Sequence, residues 1–482
     1  MGGRVVSWRQ LQWAGSRVTR QTVPSSRFDV AVIGAGVVGC ALARRFALDG
    51  ASVLVLEKAA DVLDGASKGN SAILHTAFDA PPGSLEAATM RASYGEFMAI
   101  RERLGLPLLK TGALVIAWTA DEEARLPAIV AQAHENGVAD VALLSAAETR
   151  RLEPALGPGV RASVRVPGEH VIDPWSTAHA YLFQAVENGA AVVRACEVRG
   201  GAFDGDAWHL DTARGAVDAS LVVNAAGLYG DVVDQRLLGA SPFTIRPRKG
   251  QFIVYDKGAA ALAGHILLPV PTEVTKGVVV CRTAWGNLLV GPTAQEQDAR
   301  DAAPLTEEAM TALKARGEAI LPELAAYDIT AAYAGLRPAT EEKAYRIRYE
   351  AERRYVAVGG IRSTGLTAAL GIARHVAQLV GDAVPSQPLA DPVWPKMANL
   401  AEHAPRDWEA AGNGGIVCHC ERVTRREIEA ALAGPMPPAT LAGLKRRTRV
   451  TMGRCQGFYC LPEVAAIAGD RLDPPVAVPF DD

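Results

Sequence analysis

The stretch 29-DVAVIGAGVVGCALARRFALDGASVLVLEK-58 decides how the chain begins to fold. It reads as strand, glycine turn, helix, strand. Both strands are almost continuously apolar, as a parallel sheet covered on both faces requires. Gly34, Gly36 and Gly39 form G-x-G-x-x-G in the turn. Gly34 permits the tight turn, Gly36 lets backbone approach a pyrophosphate, and Gly39 lets the helix lie close to the strand. The N-terminus of that helix, opening at Val37 and Val38, then faces the phosphates. Glu57 closes the second strand, where a carboxylate can accept hydrogen bonds from both ribose hydroxyls. A glycine triplet alone is weak evidence, but here strand, helix, strand and acid are all in their places. No second glycine fingerprint occurs midway, so one dinucleotide site is the simpler inference.

Outward from this unit, 482 residues exceed one compact core and predict several domains. A net charge of −3 gives no reason to expect nucleic acid, which needs a strong basic bias. The longest apolar runs are broken by glycine and fall short of a membrane span, so no transmembrane helix is expected. Seven cysteines without regular spacing argue against a disulfide framework and for a reducing compartment, with a cytoplasmic location expected. Residues 1–27 carry Arg4, Arg9, Arg17, Arg20 and Arg27 and no acid, which reads as a flexible tail or an organelle-targeting segment.

Two later segments, 220-SLVVNAAGLYGDVV-233 and 354-RYVAVGGIRSTGLTAALGIARHV-376, read as returning strands of the same sheet. Each ends in small residues that let backbone lie against a flat ligand, and the second enters a helix. Between them, 112-GALVIAW-118, 251-QFIVY-255, 278-VVVCR-282 and 287-NLLVG-291 predict short strands of a second, antiparallel or mixed sheet. Residues 122–137 predict a helix.

The fingerprint, 65-GASKGNSAILHTAFDA-80, 223-VNAAGLYGD-231, 248-RKGQF-252, 334-AGLRPA-339 and 359-GGIRSTGLT-367 resemble, in order, the D-amino-acid-oxidase-like flavoprotein superfamily. Within it the chain is most similar to the 2-hydroxyglutarate oxidase and anaerobic glycerol-3-phosphate dehydrogenase group. The resemblance implies FAD and a Rossmann-like FAD-binding domain (about 28–80, 145–235 and 335–383). This is interrupted by an α+β substrate domain (about 81–144 and 236–334). It implies cofactor contacts from Gly34, Gly36, Val37, Val38, Gly39, Glu57 and Lys58, from Ser67, Asn70 and Ser71, from Val198, Ala225 and Gly227, and from Gly360, Gly365, Leu366 and Thr367. It also implies a small anionic substrate oxidised at a carbon bearing OH or NH.

His75 matches a family histidine beside the flavin ring. A neutral imidazole there can take the substrate's hydroxyl proton, or it can simply pack on the cofactor. Arg337 and Arg362 fall where the family places cations, and a guanidinium grips a carboxylate or phosphate through two parallel hydrogen bonds. The alternative for both is tying loops to backbone carbonyls; Arg346 and Lys276 are weaker candidates. Asp79 stands where glycerol-3-phosphate dehydrogenases commonly carry arginine, and an acid there would repel phosphate. That keeps 2-hydroxy acids and amine substrates in contention. His134, His170, His209 and His265 show no metal spacing.

The other end of the chain differs. Residues 384–415, rich in proline and glycine, read as a linker. Residues 416–482 hold Cys418, Cys420, Cys455 and Cys460 as C-x-C and C-x4-C, with a capping box at Thr424 and Glu427 opening a helix over 425–433 and a second helix over 440–448. So small a unit needs a staple, and four thiolates suit an iron-sulfur cluster or zinc, or they are unligated buried thiols. The segment resembles the bacterioferritin-associated-ferredoxin-like domain, which implies a 2Fe-2S cluster. Lys445, Arg446, Arg447, Arg449 and Arg454 read either as charge complementary to an anionic cluster or as a solvated basic face. Cys40, Cys196 and Cys281 read as core residues.

FAD and cluster motifs in one chain predict a dehydrogenase that passes electrons to an acceptor subunit or a quinone-linked flavoprotein, with peripheral membrane association possible. The alternatives are an oxidase or amine dehydrogenase, and a cysteine unit that docks or senses iron without carrying electrons.

Overall fold

The structure is a computed structural model that describes residues 26–272 and 277–476. The basic run before residue 26 and Lys276 lie outside the described residues. The opening stretch folds as read: strand β1 (Phe28–Ile33), helix α1 (Val37–Leu48) and strand β2 (Val53–Leu56). β1 pairs in parallel with β2 and with Gly215–Asn224, and Tyr355–Gly359 continues the parallel set beyond that strand. The returning strands are therefore where their apolar runs predicted them. Ala191–Val193, parallel to β2, and antiparallel strands at 198–203, 208–212 and 346–350 complete an eight-stranded sheet among the described residues.

Helix α1, helix Leu85–Ile100 and helix Gly365–Val380 pack together on one face of this sheet and share its largest apolar core. Gly371 permits that contact, since a Cβ there would come within 2.0 Å of the Thr89 carbonyl oxygen.

Among the described residues the second sheet has nine strands and is mixed, with only Ile266–Pro269 and Ala113–Ala117 paired in parallel. Its spine is the antiparallel pair Arg246–Tyr255 and Ile329–Ala339, registered from Arg246 opposite Ala339 to Tyr255 opposite Ile329.

The packing divides the chain differently from the expected boundaries in two places. Helix Leu85–Ile100 belongs to the nucleotide-side core, whereas strand Ala162–Val166 pairs with Ala113–Ala117 in the second sheet. Apolar periodicity marks an element's buried face but not which partner covers it.

Residues 384–415 form a packed strap, with Gln387 and Leu389 bonding the end of α1, Met397 bonding Leu104 and Glu402 bonding Ala284. Leu400, Ala401 and Arg406 are buried within it. Beyond the strap, the capping box at Thr424 and Glu427 opens helix Arg425–Ala433, and helices Leu441–Thr448 and Leu461–Ala468 enclose a small separate core. Among the described residues no helix is long and apolar enough to cross a membrane.

Candidate active site and cysteine centre

The glycine turn is built by close approach. Gly34 has φ +103°, and a Cβ there would stand 2.7 Å from the Ala225 carbonyl oxygen; a Cβ on Gly39 would stand 1.9 Å from the Gly34 carbonyl oxygen. Ala225 donates its amide to Ile33, so the first returning strand is locked to the turn. Gly227 (φ +55°) has open space where a Cβ would point.

Helix α1 has no side-chain cap at Gly36 and no acidic residue in its first turn, and helix Gly365–Val380 shares both properties. The two N-termini approach each other: a Cβ on Gly365 would lie within 4.0 Å of both Val37 and Val38. Two uncapped helix N-termini side by side, fronted by glycine backbone, suit an anionic dinucleotide. Glu57 is buried and accepts the amides of Ala35 (2.7 Å) and Ala59 (2.8 Å). Burial pushes its carboxyl above the usual range, opposed by those two amides.

The remaining expected cofactor residues divide into two groups. Ser67 accepts the Val37 amide at 2.9 Å, joining the 65–71 segment to the start of α1. Thr367 accepts the His75 amide (3.0 Å) and donates to Ile73 O (3.2 Å), tying the second segment to the third. Gly360 adopts φ +67°, and Leu366 packs on the nucleotide-side core. In contrast, Asn70 spends its side chain on Ser67 O and the Ala72 amide, shaping the local turn. Ser71 accepts the Cys281 thiol at its carbonyl. Lys58 lies over the Tyr229 ring, and Val198 is buried in its sheet with its carbonyl taken by Arg236.

His75 sits beside Glu169, with 2.7 Å between Nδ1 and Oε2. Glu169 is fully buried and also accepts the Thr76 amide and hydroxyl. A ring that donates from Nδ1 to this carboxylate keeps its lone pair on Nε2. Nothing in 168-GEH-170 signalled this partner, which a tight turn brings in from 94 residues away.

Arg337 lies directly opposite Arg248 across the central strand pair, a costly juxtaposition of like charges unless an anion joins them. Burial, then Arg248 and Arg362, push the Arg337 guanidinium down to about 10, so it remains cationic at neutral pH. Burial followed by Arg248 likewise lowers Arg362. The three guanidiniums thus lie within electrostatic reach of one another, with Glu296 bonded to Arg248 as a partial counterion, while Arg337 Nη2 also donates to the Thr293 carbonyl at 2.6 Å.

Gly250 leaves room for the Arg337 head, since a Cβ there would meet Nη2 at 2.3 Å. Gly335 packs on Gly69, where a Cβ would stand 2.7 Å from the Gly69 carbonyl oxygen, which carries the arginine-bearing strand across the 65–71 segment. Arg248 was missed as a site residue although period-two alternation puts it on the face of Gly250. Arg346 is instead paired with Glu342 and Glu341.

At the other end the four thiols lie close together, Cys420 beside Cys455 and Cys460 beside Cys418, with cross-influence between the pairs. The backbone amide of Tyr459, helped by those of Gly457 and Phe458, holds the Cys455 thiol below its usual range. Positive φ at Gln456 and Gly457 turns those amides inward, as in the concave backbone nests that hold iron-sulfur clusters. Burial, then the neighbouring Cys418, pushes Cys460 up to about 12. Among the described residues no three His, Cys, Asp or Glu side chains are set around a single ion. Two adjacent thiol pairs suit a two-iron cluster, which takes two thiolates per iron.

Residues 29–379 match the family described as FAD dependent oxidoreductase, and residues 416–469 match the BFD-like [2Fe-2S] binding domain. The chain belongs to the FAD dependent oxidoreductase family.

It is 30% identical to a glycerol 3-phosphate dehydrogenase of Caloramator mitchellensis, over 92% of this chain and 94% of that protein. It is 26% identical to one component of the anaerobic glycerol-3-phosphate dehydrogenase of Escherichia coli K12, over 93% and 89%. Among solved structures, the FAD-bound L-alpha-glycerophosphate oxidase of Mycoplasma pneumoniae superposes with a TM-score of 0.70 at 27% identity, covering 77% of this chain and 97% of that one. The chain is thus an FAD-dependent oxidoreductase acting on CH–OH donors, with a 2Fe-2S domain.

Within the basic run of the cysteine unit, Arg446 and Arg447 have neither of the expected roles, whereas Arg454 is exposed and paired with Asp256. Arg447 is paired at 3.0 Å with Asp61, a buried residue in the loop after β2, and Arg446 bonds Asp64 and Val62 O. Asp61 also faces Arg194 at 3.6 Å and accepts the Ala439 amide at 3.0 Å. Gly443 allows the contact, because a Cβ there would fall 1.7 Å from Asp61 Oδ2. These arginines clamp the cysteine unit to the nucleotide side, whereas Arg449 pairs with Glu421 beside Cys420.

Proposed function

We propose that this FAD-dependent dehydrogenase oxidises the secondary alcohol of a small dianion, with sn-glycerol 3-phosphate favoured. The observation that carries the reading is the electrostatic proximity of Arg248, Arg337 and Arg362 with Glu296 as partial counterion. Such a site compensates two negative charges better than one, and the relatives similar over nearly the whole chain are named for glycerol 3-phosphate. Arg337 and Arg362 hold the anion and fix the reacting carbon. His75 accepts the hydroxyl proton at Nε2, and Glu169 stabilises the imidazolium that results. Bound in the glycine cradle, FAD would supply the hydride acceptor.

The electrons leave through the cysteine unit to a partner subunit or a quinone-linked acceptor. Phe458 and Tyr459 support a protein partner: they form an edge-on pair, 78% and 77% exposed, on the turn between Cys455 and Cys460. A cytoplasmic protein, peripheral at a membrane that holds the acceptor, is consistent with this reading.

The test is anaerobic bleaching of the flavin by sn-glycerol 3-phosphate, L- and D-2-hydroxyglutarate, lactate and amino acids. Dianions are expected to bleach fastest. Arg337→Ala is expected to cost about 2–5 kcal/mol of transition-state binding, roughly 30- to several-thousand-fold in kcat/KM. Faster bleaching by lactate or an amino acid would overturn the dianion reading.

A further inference from the structure

The cysteine unit meets the flavin-side segment through a pair of tryptophans. Trp175 and Trp285 are stacked, with ring centroids 4.6 Å apart and planes at 25°, and both are nearly fully buried. Each is rigidly mounted. Trp175 is the second residue of helix Pro174–Glu187, whose buried cap Asp173 bonds the Trp175 and Ser176 amides. Its Nε1 donates to Lys68 O at 3.2 Å, next to Ser67, which holds the start of α1. Trp285 tips a tight turn between two strands of the second sheet, closed by Thr283 N–H to Asn287 O at 2.8 Å.

On the far side of the stack lies the cysteine unit. The Arg449 guanidinium covers the Trp285 ring at 4.1 Å and bonds Glu421, the neighbour of Cys420, at 2.8 Å. Met452 packs on the pair, and the next residue, Gly453, lies so close to Cys420 that a Cβ would fall 2.2 Å from the Cys420 Cβ. Trp285 Nε1 is buried without a hydrogen-bond partner. Leaving an indole N–H unsatisfied has a cost, so what the site retains is the aromatic face.

We infer that the Trp175–Trp285 stack is the packed path by which electrons cross between the cysteine unit and the flavin-side segment. The inference rests on the electron-exit reading above. Two electrons leave the reduced flavin singly, its protons pass to solvent, and an external one-electron acceptor reoxidises the cluster. Tunnelling weakens steeply across gaps, and van der Waals contact runs unbroken from Lys68 through both indoles to Arg449 and Met452.

The test uses full-length holoenzyme, reduced anaerobically by sn-glycerol 3-phosphate, or by whichever substrate bleaches the flavin fastest. Flavin bleaching is followed by stopped flow, and the reduced cluster by freeze-quench paramagnetic resonance. Trp285→Ala is expected to leave flavin bleaching within about twofold while slowing appearance of the cluster signal at least about tenfold. Trp285→Phe, which keeps an aromatic face, restores most of that rate. An undiminished cluster rate in Trp285→Ala would overturn the inference. So would slowing in both variants accompanied by lost amide-exchange protection over residues 441–448, which would make the pair a mere spacer. Absence of any cluster signal in the unsubstituted protein would instead sink the electron-exit reading itself.

Discussion

The glycine turn and the arginine clamp are both interfaces around the end of β2, and they are made by opposite means. At Gly34 and Gly39 side chains are absent so that backbone can touch backbone, and α1 supplies partial charge through its N-terminus. At Asp61, full charges on long side chains are buried and must satisfy one another, because a charge taken out of water is tolerable only when paired. The Gly39–Gly34 contact is made within the turn itself, and Gly34 then receives Ala225 from the first returning strand; the clamp joins side chains 386 residues apart.

The largest break in this comparison is Asp61→Asn. It strands Arg447 and Arg194 without their carboxylate, and removing one partner of a buried pair typically costs about 3–5 kcal/mol. That exceeds what a small docked unit can absorb. The expected outcome is loss of amide-exchange protection over residues 441–448 while flavin remains bound and substrate still bleaches it. Retained protection would show that the clamp is dispensable.

The same pair sets an acid limit. Burial alone would raise the Asp61 carboxyl, but Arg447 and Arg194 outweigh it and hold its pKa below the ordinary value. A depressed folded-state pKa stabilises above the unfolded value, near 3.9, and that contribution is lost as pH falls through the folded value. Docking should therefore persist through pH 5 and fail only below about 4, earlier than flavin release.

A smaller effect sharpens the flavin side. Glu169→Gln keeps the shape but removes the charge that fixes the His75 tautomer and stabilises its protonated form. An orienting partner of this kind is worth about 10–100-fold. The loss is expected in kcat with KM little changed, and with a shifted acid limb in the pH profile of flavin bleaching. An unaltered pH profile would return His75 to a packing role.

How much of this was legible follows from the same contrast. The strand–turn–helix–strand of the fingerprint, both returning strands and the capping box at Thr424 and Glu427 were readable because each obeys a rule that acts within one or two elements. The clamp was not: 445-KRRTR-449 has the composition of a solvated face, and only the fold reveals Asp61 beneath it. Glu169 was invisible for the same reason. Arg248 lay between these cases. Its strand was predicted and its face followed from alternation, but its value as a site residue depends on the register that sets it opposite Arg337.

The smallest predicted effect tests that register directly. Glu296 bonds Arg248 but is largely exposed, and exposed pairs contribute at most about 1 kcal/mol. If Arg248 serves only to anchor Glu296, then Glu296→Gln changes nothing beyond a slight loss of stability. If the three arginines form one anion site, Glu296 competes with substrate for Arg248, and removing its charge should lower KM for a dianion by up to about fivefold with kcat unchanged. The decrease should be smaller for a monocarboxylate and should shrink as ionic strength rises, since partly exposed charges are screened. A KM that rises in Glu296→Gln would mean the carboxylate orients Arg248 for the substrate, leaving Arg337 and Arg362 as the principal anion holders.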